Sequence, residues 1–111
     1  MRMRALIPAA LGALGMLLSL PGSAGAAIGS FTYSLNQDGV FTRQVLHNPV
    51  DDVCQHLVAP WEPAAYQVNN WTDATAVVFR DADCSWDSYY VLEPGEKAPA
   101  GVLVRSVLFW R

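Results

Sequence analysis

Short segments rich in Val, Thr, Tyr and Phe recur from residue 31 to residue 110, and clusters of Gly, Pro, Asn and Asp separate them. No stretch of this region sustains the 3.6-residue hydrophobic period of an amphipathic helix. Short segments bounded by turn-forming residues are typical of β-strands. The pattern predicts an all-β chain, folded as a small antiparallel Greek-key sandwich or barrel in which closure hides the sheet edges.

The clearest prediction is an N-terminal hairpin. Phe31, Tyr33 and Leu35 alternate with polar residues, and Asp38-Gly39 provides the positive-φ turn that leads into a second strand at residues 40–46. Residues 74–79 are nearly all apolar, which predicts a strand buried on both faces. Further strands are expected at residues 53–57, 66–69, 89–92 and 102–110.

Residues 1–26 have the layout of a secretory signal peptide. Arg2 and Arg4 precede an uncharged apolar stretch at residues 5–20, and Ala24 and Ala26 supply the small residues that a signal peptidase requires. The apolar stretch contains Pro and Gly and falls short of the roughly 20 residues that span a bilayer. We therefore expect cleavage after Ala26 and a single secreted domain at residues 27–111.

Removal of this leader leaves five Lys or Arg against ten Asp or Glu, a net charge of −5 compared with −3 for the whole chain. An acidic surface repels phosphate, and the remaining basic residues are scattered, so nucleic acid is not an expected partner. No basic amphipathic stretch indicates binding to a membrane surface. No sequence feature specifies an oligomeric state.

Cys54 and Cys84 are the chain's two cysteines, and both follow the leader. In an oxidising compartment an even number of cysteines in a small domain favours a disulfide over a metal site or a reactive thiol. Closing a loop of about 30 residues should stabilise the domain by about 3.6 kcal/mol on the loop-entropy model. The sequence predicts one disulfide, Cys54–Cys84.

The C-terminal half contains the segments Ala76-Val77-Val78-Phe79, Asp81-Ala82-Asp83, Tyr89-Tyr90-Val91-Leu92, Pro94-Gly95 and Ser106-Val107-Leu108-Phe109. In this order the segments resemble a βγ-crystallin motif, the Greek-key unit also found in small secreted microbial proteins and some bacterial protease inhibitors. The layout from residue 31 to residue 109 also resembles small secreted actinobacterial proteins without an assigned activity.

The calcium site of that family does not carry over to this chain. Calcium-binding members have paired Asn or Asp before a Ser-Ser, whereas this chain has Gly101-Val102 and then Arg105-Ser106. A second arrangement, Asp81, Asp83 and Asp87, has the alternation with which a loop presents oxygen ligands to calcium. Trp86 stands where an EF-hand loop requires Gly, so we favour a solvated acidic turn and expect no cofactor.

A catalytic set is not apparent in the sequence. His47 and His56 would need a nucleophile such as Ser34, Ser85 or Ser88, and no spacing brings them together. Surface histidines are the favoured interpretation, and the chain is not expected to be an enzyme. Asn70-Trp71-Thr72 matches the N-glycosylation acceptor pattern, which also arises often by chance.

Trp61 and Trp86 lie in predicted loops, residues 58–64 and 85–88, where aromatic side chains commonly anchor partners. Packing in the core is the alternative for any tryptophan in a small domain. We expect a non-enzymatic binding module for an extracellular protein, with a protease as the most concrete target. The alternative is a structural or cell-envelope protein that binds wall polymer or itself through a long exposed strand edge at residues 102–110.

Overall fold

The computed structural model describes residues 25–111. Residues 1–24, which carry most of the predicted leader, lie outside the described part. Within residues 25–111 the chain forms two antiparallel sheets packed as a sandwich, which confirms the predicted all-β class. The strands are β1 Gly29–Gln37, β2 Val40–His47, β3 Gln55–His56, β4 Tyr66–Thr72, β5 Thr75–Phe79, β6 Tyr89–Leu92 and β7 Ser106–Trp110.

The first sheet has the strand order β2-β1-β4. Its hairpin closes at Asp38 and Gly39, whose φ values of 55° and 81° suit a tight turn between right-twisted strands. Phe31, Tyr33 and Leu35 on β1 are buried, as their alternation predicts. The inward face of the first sheet therefore follows directly from the sequence pattern.

The second sheet has the strand order β3-β7-β5-β6. Four of the five residues of β5 are buried, and Ala76 and Val78 face the main core while Val77 and Phe79 pack in a second cluster. The prediction of a strand buried on both faces is therefore confirmed. The second cluster also contains the disulfide.

The C-terminal strand differs from its prediction. β7 covers only residues 106–110 and lies between β3 and β5, so it is not an exposed edge. Val107 and Phe109 pack into the main core, and Leu108 packs against the disulfide cluster. The paired position of β7 contradicts the expectation of a long exposed edge at residues 102–110, although Trp110 at its end is 46% exposed.

The main core lies between the sheets and is centred on Phe31 and Phe109, whose rings meet edge to face at 5.2 Å. Cys54 and Cys84 form the predicted disulfide, with their Cα atoms 6.0 Å apart. No helix among residues 25–111 has the length and hydropathy needed to cross a membrane.

Asn70 on β4 joins the two sheets through a fully buried side chain. Its amide nitrogen donates to the carbonyl oxygens of Ala74 at 2.8 Å and Leu92 at 3.0 Å. Its amide oxygen accepts from the backbone nitrogen and the hydroxyl of Thr72, at 3.1 and 2.6 Å. The side chain therefore uses two donors and two acceptor positions, which is its full hydrogen-bonding capacity.

Candidate functional site

Trp61 is the most exposed large apolar side chain of the described residues, at 84%. It lies in a turn that the backbone nitrogen of Glu62 closes by donating to the carbonyl oxygen of Ala59 at 3.0 Å. Pro60 precedes Trp61 in this turn and suits the second turn position, because its ring fixes φ near the value required there. The local sequence therefore places the indole at the tip of a tight turn.

Arg105 holds this turn from the protein side. One guanidinium nitrogen, Nη1, lies 2.8 Å from the carbonyl oxygen of Glu62, 3.3 Å from that of Pro60 and 3.4 Å from that of Ala59. Hydrogen bonds to a charged donor are stronger than those between neutral groups. The Arg105 guanidinium therefore restrains the backbone of the turn on both sides of Trp61.

Arg105 is itself fixed by the second sheet. Its backbone nitrogen donates to the carbonyl oxygen of Phe79 at 2.8 Å, and its own carbonyl oxygen accepts from the backbone nitrogen of Leu57 at 2.9 Å. The Arg105 side chain is half-buried. The turn is thus attached to the sheet core and does not depend on its own residues alone.

The Glu62 side chain adds two further restraints. One carboxylate oxygen accepts from the backbone nitrogen of Ala59 at 3.3 Å, and the other accepts from the Gln37 side chain at 3.1 Å. Gln37 is the last residue of β1. Both sheets therefore contribute contacts to the Trp61 turn, through Gln37 from the first and Arg105 from the second.

Trp86 lies in a different environment. Its ring meets Phe79 edge to face at 5.0 Å and lies 5.3 Å from Tyr89 and 6.2 Å from Trp110. The residue is 45% exposed and forms part of an aromatic cluster on the outer face of the second sheet. Of the two predicted loop anchors, only Trp61 stands clear of other aromatic rings in the contacts that the structure records.

The acidic turn near the disulfide is organised by Asp81. Its carboxylate accepts from the backbone nitrogen of Asp83 at 2.8 Å and of Ser85 at 3.3 Å. Desolvation raises the pKa of Asp81, but these hydrogen bonds together outweigh it and hold that pKa below its usual value. Asp87 accepts from the Ser85 hydroxyl at 3.3 Å. Across residues 25–111 no group of three or more His, Cys, Asp or Glu residues is placed to hold a metal ion.

No hydrogen bond recorded for residues 25–111 joins His47 or His56 to Ser34, Ser85 or Ser88. Ser34 donates to the Gln67 side chain and accepts from Arg43, while Ser85 contacts Asp87. His47 contacts Ser30 instead, at 3.2 Å on the outer face of the first sheet.

Two features of the site were missed by sequence reasoning. In the sequence Arg105 stands out only as a departure from the crystallin pattern, because its contacts with the turn span 43 to 46 residues of sequence. The sequence pattern predicts β2 as a strand but does not predict that side chains such as Phe41 are exposed on it. The proline residues that flank Trp61 did signal a loop, because proline disfavours a central strand.

Searches against protein-family models, curated proteins and solved structures found no match to this chain. The βγ-crystallin resemblance therefore stays a prediction from the residues of the C-terminal half.

Proposed function

We propose that this chain is a secreted, non-enzymatic domain that binds an extracellular protein and uses Trp61 as its anchor. The observation that carries the proposal is the exposure of Trp61 on a turn held by Arg105 and Glu62. A protruding indole presents a large apolar area that a partner could remove from water on binding. Tryptophan is also among the residues most enriched at the energetic centres of protein interfaces.

The restraints on the turn favour binding because they reduce its entropic cost. Ordering a flexible loop on association opposes binding, whereas a loop already held in one conformation avoids most of that cost. Arg105 and Glu62 together restrain the backbone on both sides of Trp61. The indole itself has only two side-chain torsions to fix.

The target class that we favour is a protease with a deep apolar specificity pocket. Proteases of the chymotrypsin type use such a slot to accept large aromatic side chains. A turn that presents Trp61 between Pro60 and Pro63 would fill the slot while its restrained backbone resists the rearrangement that cleavage requires. The proposed mode is therefore occupation of the pocket without turnover.

The proposal is tested by inhibition assays with the secreted, oxidised protein. The panel contains chymotrypsin-like and subtilisin-like proteases, with trypsin as the control because its pocket selects basic residues. We expect inhibition of at least one aromatic-selective protease and none of trypsin. Replacing Trp61 with Ala should weaken that inhibition by about 30-fold, the scale of an interface hot spot.

Trp71→Ala is the matched control, because Trp71 is also an exposed tryptophan, at 52%, but lies on β4 away from the turn. Equal loss in both variants would indicate a general apolar effect and contradict the anchor proposal. If the panel shows no inhibition, the next experiment is affinity capture from the proteins secreted by the same culture, followed by mass spectrometry. Capture of a protein that is not a protease would show that the target class is wrong. Capture of no protein would contradict the binding proposal.

A second candidate function is self-association or attachment to wall polymer through the β2 edge. Within the described residues β2 pairs with β1 alone, so its eight residues leave one side open. Phe41 on this strand is 70% exposed and Val40 is 60% exposed. Long edge strands with apolar side chains are prone to pair with another chain.

Sedimentation velocity over a range of protein concentrations tests this second candidate. Association through β2 should be abolished by Phe41→Lys, because a charge on the edge opposes pairing. Leu103→Lys is the control, since Leu103 is also exposed but lies in the loop before β7. A wild-type protein that stays monomeric and does not bind isolated wall material would exclude this function.

A further inference from the structure

Asp51 carries a buried carboxylate that is only half satisfied. The residue is 6% exposed, and its Oδ2 atom accepts from the Arg111 Nε atom at 3.1 Å. Its Oδ1 atom is buried and has no hydrogen-bond partner among the residues described. An unsatisfied buried carboxylate oxygen is costly, so a missing donor is expected at this position.

The residues next to this carboxylate are Gly25 and Ala26, which belong to the folded domain. The carbonyl oxygen of Gly25 accepts from the backbone nitrogen of Asp51 at 2.9 Å. Ala26 forms an antiparallel bridge with Val50, and its carbonyl oxygen accepts from the Arg111 guanidinium. The sandwich therefore uses both residues, although the sequence pattern assigned them to the leader.

The backbone nitrogen of Gly25 is close to the Asp51 carboxylate. A Cβ atom added to Gly25 would lie 3.3 Å from Asp51 Oδ2. Because standard geometry puts the nitrogen about 2.5 Å from such a Cβ position, the nitrogen lies within about 6 Å of Oδ2. That separation is the range in which opposite charges stabilise each other.

We propose that the leader is removed after Ala24, and that the new α-ammonium group of Gly25 pairs with the buried carboxylate of Asp51. Gly22-Ser23-Ala24 supplies the small-x-small pattern for this cleavage. Hydrolysis of the Ala24–Gly25 amide by one water gives a carboxylate on Ala24 and an amine on Gly25, which takes up a proton at neutral pH. Processing thus places a cation within about 6 Å of the Asp51 carboxylate, whose Oδ1 atom has no recorded hydrogen-bond partner. The proposal rests on the predicted leader and is independent of the Trp61 site.

Cleavage after Ala26, the first expectation from the sequence, fits the structure less well. It would remove the carbonyl acceptors that Gly25 and Ala26 provide to Asp51 and Arg111. It would also remove the bridge between Ala26 and Val50. The backbone nitrogen of Asp51 would then lose its acceptor, and the Oδ1 atom of its buried carboxylate would still have no donor.

The first test is the N-terminus of the natural product. The full chain with its leader is expressed in a secreting bacterial host, and the medium is analysed by intact-mass measurement and N-terminal sequencing. We expect a product that begins at Gly25. A product beginning at Ala27 or elsewhere, or a retained leader, would overturn the proposal.

The second test examines the ion pair in that secreted product. Lys97 is the chain's one lysine, so a Lys97→Arg background leaves the α-amine as the only acylable amine. Acetylating it should lower the melting temperature by about 5 °C or more, the scale for loss of a charge-assisted hydrogen bond in a domain of this size. In an Asp51→Asn variant the same acetylation should change the melting temperature much less.

Asp73→Asn is the matched control, because Asp73 also pairs with Arg111 but is far more exposed than Asp51. Acetylation should destabilise this control as much as the parent protein. An equal effect of acetylation in the Asp51→Asn variant, or no effect in the parent, would show that Gly25 and Asp51 do not interact.

Discussion

At the scale of single residues, Asn70 matches a glycosylation motif but has a structural role in the folded domain. It occupies the acceptor position of an N-glycosylation pattern, yet its side chain is completely buried and uses every hydrogen-bonding position. A glycan on this nitrogen is incompatible with the folded sandwich. Asn70 instead links β4 of the first sheet to residues Ala74 and Leu92 at the second.

Replacing Asn70 with Ala should lower the free energy of unfolding by about 3 kcal/mol, because several buried partners lose their hydrogen bonds together. Urea denaturation of the oxidised protein measures this change. Asn36→Ala is the control, since Asn36 makes one recorded side-chain bond, to the Gly39 nitrogen in an exposed turn. A loss below about 1 kcal/mol for Asn70→Ala would contradict the structural role.

Sequence reasoning could find Trp61 but not the residues that hold it. A tryptophan between two prolines reads locally as a loop residue. The functions of Asn70 and Arg105 depend on carbonyl groups that the tertiary fold brings to them, from 22 residues away for Leu92 and 43 residues away for Glu62. No local pattern encodes such partners.

At the scale of elements, the strands were predictable where hydrophobic periodicity and turn chemistry agreed. The β1–β2 hairpin and the doubly buried β5 follow from those two signals. β3 is shorter than predicted because the chain turns at residues 51–53, where Asp52 adopts a φ of 60°. The position of β7 inside its sheet depends on strand order, which periodicity does not specify.

The disulfide connects the segment before β3 to the turn before β6, across 30 residues of sequence. The variant with both Cys54→Ala and Cys84→Ala should be less stable by about 3 to 4 kcal/mol, mainly because its unfolded chain is less restricted. Denaturant unfolding of the variant and of the reduced wild-type protein should give similar values. A variant within about 1 kcal/mol of the oxidised protein would show that the bridge adds little to stability.

At the scale of the whole molecule, the fold class followed from the repeated pattern of short strands and turns. The packing of the two sheets and the role of residues 25 and 26 did not follow from that pattern, because they depend on contacts between residues that are distant in sequence. Arg111 illustrates this, since it contacts Asp51, Asp73 and Ala26. The sandwich is thus closed by residues that are distant in sequence.

The whole molecule also explains why the Trp61 turn is a good candidate for binding. Gln37 at the end of β1 and Arg105 just before β7 both reach the turn, so each sheet supports it. A partner would meet a surface whose shape is set by the packed core. The proposed protein target and the proposed mode of inhibition both rest on this arrangement.

The most direct test of the account is the dissociation constant of an identified partner for the wild-type protein and for Trp61→Ala, measured by calorimetry on oxidised material. The account predicts that the substitution weakens binding by about 30-fold or more while Trp71→Ala changes it by less than about twofold. Equal affinities for the wild-type protein and Trp61→Ala would contradict the claim that Trp61 is the anchor.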